Sequence, residues 1–156
     1  MPLELKRVPV DLWELELAMS SPPEAESWLD TETGEIHSLD FDMDPEEREE
    51  IADRIEDAPI DRYVRIDRIE SWEEYDDMVE FTETVEDERL RKKLEVALNG
   101  RGAFRRFKDV LLNYPKERER WFAFKDKRTK ERMLEWLAEN GLAPTDEKES
   151  KQTPSA

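Results

Sequence analysis

Apolar residues recur along this chain at two spacings, and the pattern changes near residue 87. In residues 11–19, Leu12, Leu15 and Met19 keep helical spacing. Asp11 stands where a cap would and Glu14 three positions on, as in a capping box, so a short helix is predicted. Pro22 and Pro23 stop it. Residues 27–39 read as a β-hairpin, with Trp28 and Leu29 on one arm, Ile36 and Leu39 on the other, and Gly34 supplying the left-handed residue that a type I turn with a following bulge requires. Asp44 and Pro45 suit the cap and first position of a second helix, whose opening turns are crowded with Glu46, Glu47, Glu49 and Glu50 and which is expected to end near Glu56. Residues 62–66 carry β-branched side chains and predict a third strand joining the hairpin. Ser71 with Glu74 forms a second capping box, opening a helix whose stripe is Trp72, Tyr75, Val79 and Thr82.

Beyond Asp87 the spacing is helical throughout. Leu90, Leu94, Ala97 and Leu98 form one stripe, closed by Asn99 and Gly100 as a glycine C-cap would close it. Phe104, Phe107, Val110, Leu111 and Tyr114 form the next, which Pro115 ends while opening a final helix with Trp121, Phe122, Phe124, Met133, Leu134, Trp136 and Leu137. That helix reaches toward Asn140, and residues 125–130 are its polar weak point. Residues 143–156 contain almost nothing apolar, so burial cannot repay their ordering entropy and a disordered tail is expected. The fold class that follows is α+β: a small antiparallel sheet, hairpin plus one strand, packed on helices, with a helical C-terminal region. Residues 1–142 are expected to make a single domain, with an acidic α/β part at 8–88 and a basic helical part at 89–142.

Charge sharpens the same division. Residues 1–88 hold 31 acidic and 7 basic side chains, a net of −24, whereas residues 89–156 hold 11 and 18, a net of +7. Such asymmetry bears on association and steering rather than on fold. The chain has 156 residues and no cysteine, which excludes disulfides, thiolate metal sites and cysteine nucleophiles. Its apolar runs fall far short of the roughly 20 residues that cross a bilayer. No leader-like segment is read at its start, and the expected compartment is the cytosol.

Candidate chemistry is sparse. Asp40, Asp42 and Asp44 have the spacing that opens an EF-hand loop, but Pro45 stands where the loop turns on glycine and Ile51 where its bidentate glutamate belongs, so no calcium site is expected. His37 is the only histidine, too little for a zinc site without cysteine, and no nucleophile elbow accompanies it. Carboxylate pairs are so abundant that none is informative. Gly100 and Gly102 precede a helix whose free N–H groups could take a phosphate beside Arg101, Arg105 and Arg106, yet a tight helix–helix turn explains both glycines more simply. The informative feature is a basic ridge: Arg101, Arg105 and Lys108 at i, i+4 and i+7, with Arg106 beside them, continued by Arg120, Lys125 and Arg128. Trp121, Phe122 and Phe124 adjoin it and could stack bases, although aromatics at helical spacing usually belong to a core.

The run Asn-Gly-Arg-Gly-Ala-Phe-Arg-Arg-Phe-Lys-Asp-Val-Leu at 99–111, with Tyr114-Pro115 and Glu-Arg-Trp-Phe-Ala-Phe-Lys at 119–125, resembles a bacterial group, uncharacterised protein family 0158. The hairpin at 28–36 and residues 81–98 are similar to it as well, so the likeness spans most of 8–142. It implies relatives without implying a reaction, a cofactor or catalytic residues.

The expected function is therefore that of a non-catalytic, cytosolic binding or regulatory protein. Its basic, aromatic surface would use Arg101, Arg105, Arg106, Lys108, Arg120, Trp121, Lys125 and Arg128 to dock an anionic partner, RNA or an acidic protein. No metal, cofactor or membrane is called for. Two other readings stand beside it: a small carboxylate enzyme using Mg²⁺, and a module that self-associates as a homo-oligomer through its opposite charges. In either charge-based reading, the chain's own acidic residues compete for the ridge.

Overall fold

The computed structural model describes residues 4–40 and 42–145. The first four helices begin where side-chain chemistry can satisfy free N–H groups. In α1 (Leu12–Met19) the Asp11 carboxylate accepts from the backbone N–H of Trp13 and Glu14, and in α2 (Pro45–Asp57) the Asp44 carboxylate accepts from Glu46 with proline at the first position. Helix α3 (Ser71–Glu83) starts one residue earlier than the sequence suggests. Glu70 is its cap, and the reciprocal box is completed by Glu73, whose side chain accepts from the Glu70 N–H at 2.8 Å, rather than by Ser71 and Glu74. Asp87 caps α4 (Glu88–Ala97), and α5 (Ala103–Leu111) and α6 (Pro115–Glu139) follow.

Three strands form the antiparallel sheet, in the order β3 (Ile36–Leu39), β2 (Glu26–Asp30), β4 (Tyr63–Arg65). Trp28 lies opposite His37 on one side and Arg65 on the other. The hairpin turn depends on Gly34 twice. Its φ of 82° is left-handed, and a Cβ there would come within 2.3 Å of the Pro9 carbonyl oxygen. Asp30 ties the turn together: its carboxylate accepts from the N–H groups of Glu32 and Thr33 and takes a two-pronged bond from Arg62 at 2.8 and 2.9 Å. Those bonds, the arginine's first, hold the Asp30 carboxyl far below the usual carboxylate range and raise the Arg62 guanidinium in turn.

A second, parallel pair went unpredicted: β1 (Lys6–Val8) with β5 (Leu142–Pro144), Lys6 opposite Leu142 and Val8 opposite Pro144. Residues 143–145 of the expected tail therefore belong to the fold. Arg7 donates to the Pro144 carbonyl at 2.9 Å and the Thr145 N–H to the Val8 carbonyl at 3.1 Å, while Leu142 and Pro144 are buried. The rest of that tail, 146–156, lies outside the described residues, as does Phe41. With six helices and these two small sheets among the described residues, the fold is α+β with a helical C-terminal region.

The chain forms two compact units. One takes the chain up to Arg68 and again from Lys130, and the other is Ile69–Thr129. In the first, α1 and α2 both pack on β3, and Leu15, Leu29 and Val8 are wholly buried. The second is helical, with a core of Met78, Phe81, Val85, Leu90, Leu94, Leu98, Phe107, Leu111 and Trp121. The acidic-to-basic switch near residue 88 thus falls inside this unit, between α3 and α4. Residues 69–129 carry 15 acidic and 14 basic side chains and are nearly neutral.

Candidate functional site

The surface that presents positive charge is built by α4, α5 and the turn between them. Leu90, Leu94 and Ala97 turn α4 inward, which leaves Lys92, Lys93 and Val96 outside, and Val96 is 69% exposed. Ala103, Phe107 and Leu111 do the same for α5, leaving Arg101, Arg105 and Lys108 in solvent. Gly100 and Gly102 adopt φ of 78° and 79°, reversing the chain between the helices, as a turn requires. Arg106 closes that turn from the side. Its Nε donates to the Ala97 carbonyl at 3.1 Å, and its two terminal nitrogens donate to the carbonyls of Asn99 and Arg101. A guanidinium so engaged satisfies the acceptors left at the end of α4 and is withdrawn from any phosphate at the start of α5.

Between α4 and α5 runs an open groove of about 490 Å³ lined by Lys92, Lys93, Val96, Ala97, Arg106, Asp109 and Val110. Its floor is apolar and its rim mostly cationic. Lys93 is steadied by the Tyr114 hydroxyl at 3.2 Å and lies over that ring. No ion pair among the described residues engages Lys92, Arg101, Arg105 or Lys108.

The cations of α6 are placed differently. Trp121 is 5% exposed and packs edge-on against Phe81 and Phe107 at 5.3 and 5.0 Å, so it is core, not a stacking platform. Arg120 lies over the Phe81 ring at 4.5 Å, bonds Glu117 at 2.8 Å and donates to the Thr84 hydroxyl at 2.9 Å. Arg128 pairs with Glu80, reaches the buried Asp77 at 4.0 Å and lies over Phe124. Lys125 is half-buried. Of the eight residues expected to form one ridge, Arg101, Arg105 and Lys108 are exposed and Lys125 is half-buried, while Arg106, Arg120, Arg128 and Trp121 are used within the unit. Lys92, Lys93, Val96 and Val110 were missed as site residues. The available signal was Val96, an apolar residue off the buried stripe of α4 and three or four positions from two lysines.

Elsewhere the arrangement offers little chemistry. His37 lies 3.6 Å from Glu35 and edge-on to Tyr63. A concavity of about 410 Å³ beside α2 gathers Asp44, Glu46, Glu47, Glu49, Glu50 and Asp53. Among the described residues, no group of His, Asp and Glu is arranged to hold a metal ion, and no helix is long and apolar enough to cross a membrane.

The family model described as Uncharacterised protein family (UPF0158) matches residues 7–155. The chain belongs to this family. A UPF0158 protein of Pseudomonas aeruginosa is 25% identical over 152 residues, covering 97% of this chain and 94% of the relative. UPF0158 proteins of Chlamydia trachomatis and Chlamydia muridarum are 29% and 27% identical over 121 residues, which is 77% of this chain but 36% of each relative. No solved structure matches the chain significantly. Membership in UPF0158 carries no established molecular function.

Proposed function

We propose that this protein is a non-catalytic docking protein whose α4–α5 face receives an acidic polypeptide segment bearing apolar side chains. One observation carries the reading: an apolar groove bordered by cations that the unit itself does not neutralise. Carboxylates of the partner would meet Lys92 and Lys93 while its apolar side chains cover Val96, Ala97 and Val110, the pattern by which an amphipathic helix lies in a groove. RNA, the second anionic candidate, is less well served, because Trp121 is internal and Arg120 and Arg128 of α6 are engaged. The non-catalytic part is supported by Asp30, whose carboxyl, held far below its usual range, is spent on a turn. A cysteine-free chain suits the cytosol, where this partner would be met.

The test is a titration of the protein into two fluorescent probes, a peptide with leucines one helical turn apart among glutamates and a single-stranded RNA, at about 50 and about 300 mM salt. The peptide should bind, weaken with salt and lose affinity with Val96→Glu and Lys92→Glu. Binding of RNA alone would replace the partner, and binding of neither would end the proposal.

A further inference from the structure

Helix α1 carries the counterpart of the groove on its own surface. Trp13 and Leu17 stand one turn apart and are 57% and 52% exposed, although Leu12, Leu15, Ala18 and Met19 bury the opposite side of the same helix. Helical periodicity sets Glu14, itself exposed, beside this pair. An apolar ridge with an acidic flank is what the α4–α5 groove, with its Val96, Ala97 and Val110 floor and its lysine rim, would receive. Charge at a larger scale favours the same match, since the unit containing α1 holds 27 acidic against 11 basic side chains. Two exposed large apolar residues at i and i+4 on a short helix cost solvation that a partner surface recovers.

We propose that the occupant of the groove is α1 of a second copy of this chain, Trp13 and Leu17 seating on Val96 and Val110 with Glu14 facing Lys92 and Lys93. This deepens the docking reading and rests on it. Ridge and groove are different surfaces, so the contact is heterologous: two copies can exchange it reciprocally and close, or chains of copies can grow.

Light scattering of the full chain over a range of concentration and salt tests it. The wild-type mass should rise with concentration and fall as salt increases. Trp13→Glu and Val96→Glu alter exposed positions, so circular dichroism should show both folded. Each alone should weaken association by about tenfold or more. An equimolar mixture of the two variants should regain association, because the intact groove of one meets the intact ridge of the other. A wild type that stays monomeric while its groove still binds the acidic peptide probe overturns the second-copy proposal and leaves the docking reading standing. Failure of both overturns both. Association that persists in either variant, or a mixture that stays monomeric, shows that other surfaces join the copies and equally overturns it.

Discussion

Arg105 and Lys108 of α5 and Arg120 and Arg128 of α6 arise from the same kind of sequence, basic residues interleaved with aromatics, yet they meet opposite fates. On α5, Arg105 and Lys108 project into solvent with no ion pair among the described residues. On α6, Arg120 and Arg128 lie on the rings of Phe81 and Phe124 and close on Glu117 and Glu80. The difference is what each helix faces. Helix α3, with six acidic side chains, belongs to the same compact unit and supplies Asp77 and Glu80 to Arg128. A positive run in a sequence thus measures surface potential only after neighbours in space have taken their share.

Substitutions can break this contrast, and the largest effect should come from the core beneath it. Trp121→Ala removes the ring that meets Phe81, Phe107 and Phe124, and should cost about 3–5 kcal/mol in urea unfolding. A small effect would mean that the ring is displaced outward and that the stacking surface deserves revival. Next comes Asp30→Ala, which leaves Arg62 without its two-pronged partner and two N–H groups without an acceptor; about 2 kcal/mol is expected, held down because Arg62 is partly open to solvent. Because the folded state lowers this carboxyl's pKa, its contribution is complete above the unfolded value of about 4 and is lost as pH falls toward the folded one. The stability gap between wild type and Asp30→Asn should accordingly be flat from neutral pH down to about 5 and shrink below about 4.

Adjacent arginines sharpen the contrast further. Arg106→Ala strips three carbonyls of their donor and should destabilise by about 1–2 kcal/mol, whereas Arg105→Ala should change stability by less than about 0.5 kcal/mol. Binding to the acidic peptide should be weakened by Arg105→Glu with Lys108→Glu, a loss read as a shift in the titration midpoint. Equal stability costs at 105 and 106 would erase the distinction between an arginine that builds the turn and one that the turn displays.

Much of the fold was legible because its signals are local. Asp11, Asp44 and Pro45 act within a turn of their own positions, and Gly34 is demanded by its own φ, so a linear reading finds them. The α3 cap was misplaced by one residue because Glu70 and Glu73 offer the same spacing as Ser71 and Glu74. The β1–β5 pair escaped because each strand has three residues, β5 ends in a proline, and the partners lie more than a hundred residues apart in sequence. For the candidate site, spacing set Arg105 and Lys108 off the buried stripe of α5, but it could not bring Val96 and Val110 into one groove or show Arg106 turning back to the carbonyls.

What the amino-acid order determined alone is the helices and the antiparallel sheet, since capping, turn chemistry and helical or strand period are properties of neighbouring residues. Which cations remain available was decided only by tertiary structure. Coulomb attraction and ring contact depend on distance in space, and the packing of α3, α4, α5 and α6 around Phe81, Phe107 and Trp121 is what brings some of those charges to carboxylates and leaves others facing water.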